Sequence, residues 1–296
     1  RNGFPRYRGL PTVPELPEVE TVRRGLVNQL VGRRIERVEL RREGLRFPFP
    51  SNMAVRMKGR TIERIDRRAK YMLARLDDGI TWLIHLGMTG KFTLFSSGEG
   101  PSEVGKHDHF AIWLNDGGHA TYTDHRRFGV MDLVPTKSAG EHRLLSRLGV
   151  EPLDDSFDAA SLCEALRGRS TPMKTALLNQ HVVAGLGNIY VCEILNRAGV
   201  SPRRSATTVA GCGPGGTARG ERIVEATKQV LKEAIEAGGS SISDFANVDG
   251  DLGYFTHSFR VYGREGEPCL RQECGGIVSR IVQSGRSTFF CSECQR

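Results

Sequence analysis

Four cysteines between positions 269 and 294 are the residues whose spacing most directly specifies chemistry. Cys269-x4-Cys274, a gap of sixteen residues, then Cys291-x2-Cys294 suits four thiolates around one zinc ion. A closed four-sulfur site has no open position, so such a zinc is structural rather than catalytic. The gap is long enough for a β-hairpin, Ile277–Ile281 returning through Thr288–Phe290, with Arg286 at its tip. Taken alone, a hairpin arginine is either ordinary surface or a rigidly held cation. The other three of the seven cysteines, Cys163, Cys192 and Cys212, are scattered. That distribution is unlike a disulfide framework.

These groups need elements to position them. Residues 14–32 read as a helix: Pro17 stands near its start, and Glu18 and Glu20 suit its positive end. Val19, Val22, Leu26 and Leu30 form an apolar stripe, and Gly32 ends it. From about 33 to 135 the pattern shifts to short β segments, among them Trp82–Leu86, Phe92–Phe95, Phe110–Leu114 and Ala120–Thr123. This predicts a β-sandwich of mainly antiparallel strands with flanking helices. A stretch with Gly149, Pro152, Asp154 and Asp155 reads as a linker over 146–160. Helices are predicted near 158–168, 172–180, 188–198 and 220–237, the last closed by Gly238 and Gly239. Residues 204–219 read as a flexible connection, and the tail from 262 as two short β pairs. The fold class is α+β.

The chain of 296 residues is 39% hydrophobic and 26% charged, with a net charge of +8. This size fits two domains. The basic balance suits a phosphate-bearing partner, although a merely basic surface would look the same. No apolar run approaches the twenty residues of a membrane span, and no secretory signal is visible. A cytoplasmic protein without a membrane partner is expected.

Pro14-Glu15-Leu16-Pro17-Glu18-Val19-Glu20 resembles the extreme N-terminus of bacterial formamidopyrimidine-DNA glycosylases, which repair oxidised purines. The resemblance continues through Arg67-Arg68-Ala69-Lys70-Tyr71, similar to the family's catalytic-lysine strand, and His85-Leu86-Gly87-Met88-Thr89-Gly90, similar to its first intercalation loop. Lys106–His109, Asp124–Gly129, Gly185–Tyr190, Gly253–Phe255 and the zinc tail follow in order. The resemblance implies a β-sandwich domain over 14–145 and a linker over 146–160. It further implies a helix–two-turn–helix domain over 161–261 and a zinc finger over 262–296.

It also implies the chemistry. The family's N-terminal proline attacks the damaged nucleoside's sugar as an amine, giving a Schiff base that drives elimination of the phosphates. An α-amine titrates near about 7.7–8, below lysine at about 10.4, so more of it is free to attack. Pro14 matches that proline, but it follows thirteen residues and its nitrogen is an amide as written. Residues 1–13 are therefore expected to be absent from the mature protein, with Val13 standing where the initiator methionine would be. Glu15 is the expected acid beside the amine, whereas Glu18 is read as structural. Lys70 and Arg286 are expected at phosphates beside the lesion, assisting the two eliminations. Met88, Arg126 and Phe128 would fill the gap left by the flipped base; each apolar member alone could equally be core. His125 replaces the proline common before the arginine pair. Asn188, His107, Arg169 and Lys174 match further DNA-contacting positions. The loop 247–256 occupies the place of the lesion-recognition loop, with Thr256 where glutamine is frequent.

The implied assembly is a bacterial, nucleoid-associated monomer holding one structural zinc and damaged double-stranded DNA. Two other readings stay open. An endonuclease VIII-like enzyme acting on oxidised pyrimidines shares the proline, glutamate, lysine and zinc arginine, but usually has glycine where Leu16 stands and lacks the Arg126–Phe128 arrangement. A lesion-binding protein without lyase activity would result from a blocked Pro14.

Overall fold

The structure is a computed structural model and describes residues 13–100, 104–210, 218–240 and 255–296. It divides into two compact units. One comprises the described residues up to Ser146 with Ala237 to Ser240; the other comprises Arg147–Glu236 and the described residues from Phe255 to Arg296.

The first unit begins with α1 (Leu16–Leu30), whose apolar stripe of Val19, Val22, Leu26 and Leu30 is no more than 1% exposed. Burying each such side chain is worth about 1.5–3 kcal/mol, so the stripe rather than helix propensity holds α1 in place. Then come β1 (Ile35–Leu40), a short α2 (Met53–Met57), β2 (Ile62–Arg68), β3 (Tyr71–Leu76), β4 (Ile80–His85), β5 (Gly90–Phe95), β6 (Asp108–Leu114), β7 (His119–Asp124) and β8 (Val130–Pro135). They form two antiparallel four-stranded sheets, ordered β1-β6-β7-β5 and β2-β3-β4-β8. Trp82 of β4 packs against Phe110 and Phe92 of the other sheet, with ring centroids at 5.0 and 6.1 Å. The predicted sandwich is present, and α1 lies against β2 and β3. The short helix α2 is anchored by buried Met53 and Met57, and its five residues are too few to show a helical repeat.

The second unit holds α3 (Ala159–Leu166), α4 (Met173–Leu178), α5 (Asn188–Ala198), a one-turn α6 (Thr207–Ala210), α7 (Ala218–Glu236), β9 (Val278–Gln283) and β10 (Arg286–Cys291). Part of the stretch expected to be a flexible connection over 204–219 is thus helical; residues 211–217 lie outside the described residues. The tail holds one β pair and an isolated bridge, Pro268 to Ile277, instead of two pairs, because the cysteine loops replace the second ladder. Helix α5 is buried along most of its length and ends at Gly199, whose φ of 66° is the left-handed cap that glycine adopts readily. Arg197 of α5 pairs with Glu233 of α7 at 2.6 Å. A run of rings, Tyr190–Phe255–Phe259–Tyr262–Phe289, joins α5 to β10 through centroid spacings of 5.1–5.8 Å.

Candidate functional site

At the start of α1, Pro14 is buried and Glu15, the residue before the first helical turn, is 3% exposed. The Glu15 amide donates to Glu18 Oε2 at 3.0 Å. Glu18 Oε1 in turn accepts from Ser240 N at 2.9 Å and Ser240 Oγ at 2.7 Å. Glu18 is therefore a brace that fixes the Pro14–Glu15 corner. A second brace ties α1 to the lysine. Glu20 accepts from Arg23, Arg24 and Arg67; burial pushes its carboxyl up, but these guanidinium donors prevail and hold it below its ordinary value. Arg67 also donates to the carbonyl of Ala69 at 3.2 Å.

Lys70 does not lie in a strand as the resemblance suggested. Arg68 pairs directly with Tyr71, leaving Ala69 and Lys70 as a two-residue hairpin turn between β2 and β3. Ala69 is fully buried with φ of 54°, a conformation that costs a residue with a Cβ. The turn presents a half-buried Lys70 at the sandwich's rim. Its neighbour Tyr71 packs against His85 with ring centroids 4.7 Å apart and planes tilted by 40°. Burial, with the nearby charges of Lys70 and Arg46, lowers His85 to about 4. A neutral ring fits its contact, since His85 Nδ1 accepts the Gly87 amide at 3.0 Å.

Met88 is half-buried on the loop between β4 and β5, while Arg126 and Phe128 are exposed on the loop between β7 and β8. Phe128 is 41% exposed, and the Arg126 guanidinium lies 4.9 Å from its ring centroid. An aromatic ring so placed is not core packing. The two loops touch through backbone: a Cβ at Gly87, whose φ is 69°, would come within 2.4 Å of Phe128 C and Gly129 N. His107 packs against His125, the residue in the usual proline position, with ring centroids 4.3 Å apart and planes tilted by 39°.

In the second unit, β9 and β10 are joined by Ser284 and Gly285, both with positive φ (49° and 72°), the pattern of a tight two-residue hairpin. Arg286 follows immediately and is exposed. Asn188, at the first turn of α5, donates from Nδ2 to Ser287 O at 3.0 Å. Lys174, expected at DNA, is instead fully buried; Nζ donates to Ser287 O at 2.8 Å and to Thr288 Oγ1 at 2.6 Å. Its ammonium holds the hairpin next to Arg286, because α4 packs its inner face under the finger. Arg169 is half-exposed and donates to Ala165 O at 2.8 Å. Gly185 has the left-handed φ of 86° expected of a tight turn, but Gly187 is extended. That turn is pinned by Gln180, which accepts from Gly185 N at 2.8 Å and donates to Leu186 O at 2.7 Å.

The four cysteine sulfurs all lie within 4.8 Å of one another, with Cys269–Cys294 at 3.8 Å and Cys274–Cys291 at 3.6 Å. Zinc with bonds of about 2.3 Å to four thiolates places its sulfurs about 3.8 Å apart, so the cluster fits one structural Zn2+. Without a metal the Gly276 amide lowers the Cys274 thiol while burial raises those of Cys269 and Cys294, so the sulfur spacing carries the fit.

Two groups escaped the sequence reading. Glu193 of α5 is fully buried and accepts the amides of Arg260, Val261 and Tyr262 at 2.8–3.0 Å, fixing the segment that leads into the finger. Burial pushes its carboxyl up. Asp124 is fully buried beneath the Arg126–Phe128 loop; an Asp two residues before Arg126 was a turn signal that could have marked it. Of the loop 247–256, residues 247–254 lie outside the described residues; Thr256 is buried within a 3-10 turn, Phe255–Ser258.

The comparisons with known proteins agree with one another. Residues 13–131 match the formamidopyrimidine-DNA glycosylase N-terminal domain, residues 148–246 its H2TH domain, and residues 266–296 the zinc finger found in FPG and IleRS. A protein of Ruegeria pomeroyi named formamidopyrimidine-DNA glycosylase is 55% identical over 289 residues, covering 96% of this chain and all of the relative. The fold is similar to wild-type Lactococcus lactis Fpg in complex with DNA containing N7-benzyl-Fapy-dG, at TM-score 0.84 and 35% identity over 96% of this chain and all of that one. It is likewise similar to MutM in complex with DNA containing carbocyclic 8-oxo-G, at TM-score 0.83, 35% identity and the same coverage. The chain belongs to the formamidopyrimidine-DNA glycosylase family.

Proposed function

We infer that this chain is a base-excision repair enzyme that removes oxidised purines, 8-oxoguanine and formamidopyrimidines, from duplex DNA and nicks the strand at the vacated sugar. The observation that carries this reading is the exposed Phe128 and Arg126 pair abutting the Met88 loop, on the same unit as Pro14, Glu15 and Lys70. Extruding a base costs a few kcal/mol, and side chains inserted into the stack offset it. The relatives in complex with Fapy-dG and 8-oxo-G DNA support the substrate class.

In this reading the Pro14 nitrogen, as a free secondary amine, attacks C1′ of the extruded nucleoside; the bond from C1′ to the base breaks, and the amine proton leaves with the base. Glu15 gives a proton to the sugar ring oxygen as the ring opens, leaving a Schiff base between Pro14 and C1′. That cation makes the C2′ proton acidic, and the 3′ and then the 5′ phosphates leave by successive eliminations. Lys70 and Arg286 stabilise the departing phosphates. Asn188 and the first amides of α5 grip a phosphate, with His107 and Arg169 as further contacts, while Arg126 faces the orphaned base. Lys174 acts through the hairpin. Cys269, Cys274, Cys291 and Cys294 would hold the zinc, which supplies rigidity and no chemistry. The chain works as a monomer on the bacterial nucleoid. Among the described residues no helix is long and apolar enough to cross a membrane.

Lys174→Met keeps the aliphatic stem and removes the donors to Ser287 and Thr288. With zinc content unchanged, nicking of abasic duplex should slow about tenfold, as expected for losing a charged hydrogen bond of about 1.5–3 kcal/mol. Nicking at the native rate would separate Lys174 from the placement of Arg286.

The whole reading is tested by borohydride trapping on a duplex with 8-oxoguanine opposite cytosine. Protein beginning at Pro14 should give a covalent adduct, and the 296-residue chain, with its amide at Pro14, none. No adduct from either, with DNA binding intact, would reject the lyase and favour a lesion-binding protein.

A further inference from the structure

The two loops that carry Met88 and Arg126–Phe128 converge on one carboxylate. Asp124 is 0% exposed. Its Oδ1 accepts from Thr89 Oγ1 at 2.6 Å and from the Arg126 amide at 3.2 Å. Its Oδ2 accepts from the Gly129 amide at 2.8 Å and from the Tyr122 hydroxyl at 3.4 Å. Thr89 closes the link by accepting the Arg126 amide at 3.0 Å. The single Tyr122 proton is shared between Asp124 and Leu86 O, the latter at 3.2 Å, and its hydroxyl is wedged between Gly90 and Gly129, where a Cβ would come within 2.1 and 2.0 Å of it. The backbone of Asp124 is itself held: its amide donates to His107 O, and its carbonyl meets His109 Nε2 at 3.0 Å.

We propose that Asp124, acting through Thr89 and Tyr122, is a positioning residue that locks the two intercalating loops into a single wedge, so that Met88, Arg126 and Phe128 enter the duplex in one step. The proposal rests on the reading that this chain extrudes a damaged base. The physical argument is preorganisation. Two loops held only by their own strands would each have to be ordered on insertion, and that entropy would oppose extrusion. A buried carboxylate bonded to donors from both loops is stronger than neutral hydrogen bonds and imposes one geometry. Arg127, whose φ of 58° is left-handed, lies in the chain between the Arg126 and Gly129 amides that this carboxylate accepts. Asp124 touches no substrate in this scheme.

Two substitutions in protein beginning at Pro14 test the coupling. Asp124→Asn is isosteric, but either amide orientation turns a donor toward groups that donate. Thr89→Val removes only the hydroxyl that joins the loops, and decides the matter if Asp124→Asn does not fold. Three rates are compared: single-turnover excision of 8-oxoguanine opposite cytosine, the fluorescence change of 2-aminopurine beside the lesion, and nicking of a preformed abasic site in the same duplex. Asp124→Asn should slow excision and the fluorescence step by about tenfold or more, and Thr89→Val by a few-fold, as for loss of charged hydrogen bonds. Nicking of the abasic site, where no base remains to be extruded, should be nearly unchanged. Equal losses in excision and abasic nicking, or a native fluorescence step in both variants, would overturn the proposal. Wild-type protein that neither excises nor nicks would instead overturn the functional reading, and the coupling with it.

Discussion

Exchanging Glu15 for Gln in protein that begins at Pro14 should slow excision of 8-oxoguanine by about 10²–10⁴-fold, the usual contribution of a placed general acid, while DNA binding persists. The substitution is close to isosteric, so its effect isolates the proton. Glu15 is buried at the head of α1, and its backbone is fixed by Glu18, which Ser240 holds in turn. Glu15 follows Pro14 directly in the chain, and the start of α1 fixes its backbone. An amide there can occupy the same space and cannot give up a proton to the opening sugar. Single-turnover excision, measured beside a gel-shift titration, separates the two effects. Excision within about tenfold of wild type would remove Glu15 from the proton-transfer role.

Loss of zinc should abolish nicking by a different route. Structural zinc contributes an apparent about 10–16 kcal/mol to folding of small finger domains, more than the single β9–β10 ladder can replace. Cys291→Ser, or chelation, should therefore unfold the finger while α5 and α7 stay packed through Arg197–Glu233 and their apolar faces. Arg286 would then sit on a disordered tail. A misplaced charge at the reacting centre can cost about 10²-fold, and strand nicking should fall at least that far. Readdition of zinc should restore the chelated protein and leave Cys291→Ser inactive. Metal content and nicking rate, followed together, decide the point. A zinc-free protein that nicks at the native rate would show that the finger has no part in placing Arg286.

Local spacing explains why some of this was readable from the chain alone. The cysteine pairs are close in sequence, and ligand spacing is itself the constraint a metal imposes. Helix α1 announced itself by a stripe repeating at helical intervals, and the sandwich by alternating apolar segments. Arg286 follows Ser284 and Gly285, whose positive φ makes the tight turn that the hairpin needed. The residue types expected for amine, acid and phosphate contacts came from the resemblance, position by position.

What only the tertiary structure decided is which elements pair with and cover one another. Lys174 was expected at DNA from the resemblance, position by position; the contacts of its ammonium with β10, more than a hundred residues later, are visible only in the folded chain. Glu18 became a brace for the Pro14 corner only when Ser240, 222 residues away, supplied its donors. The pairing of Arg68 with Tyr71 moved Lys70 from a strand to a turn, since register is set by the partner strand and not by the segment itself. Asp124, at the end of β7, joins Thr89 just before β5 to Gly129 just before β8. Periodicity determines which face of an element is apolar. It does not say which element will cover that face, and the carboxylates and the ammonium that order this molecule are placed by that choice.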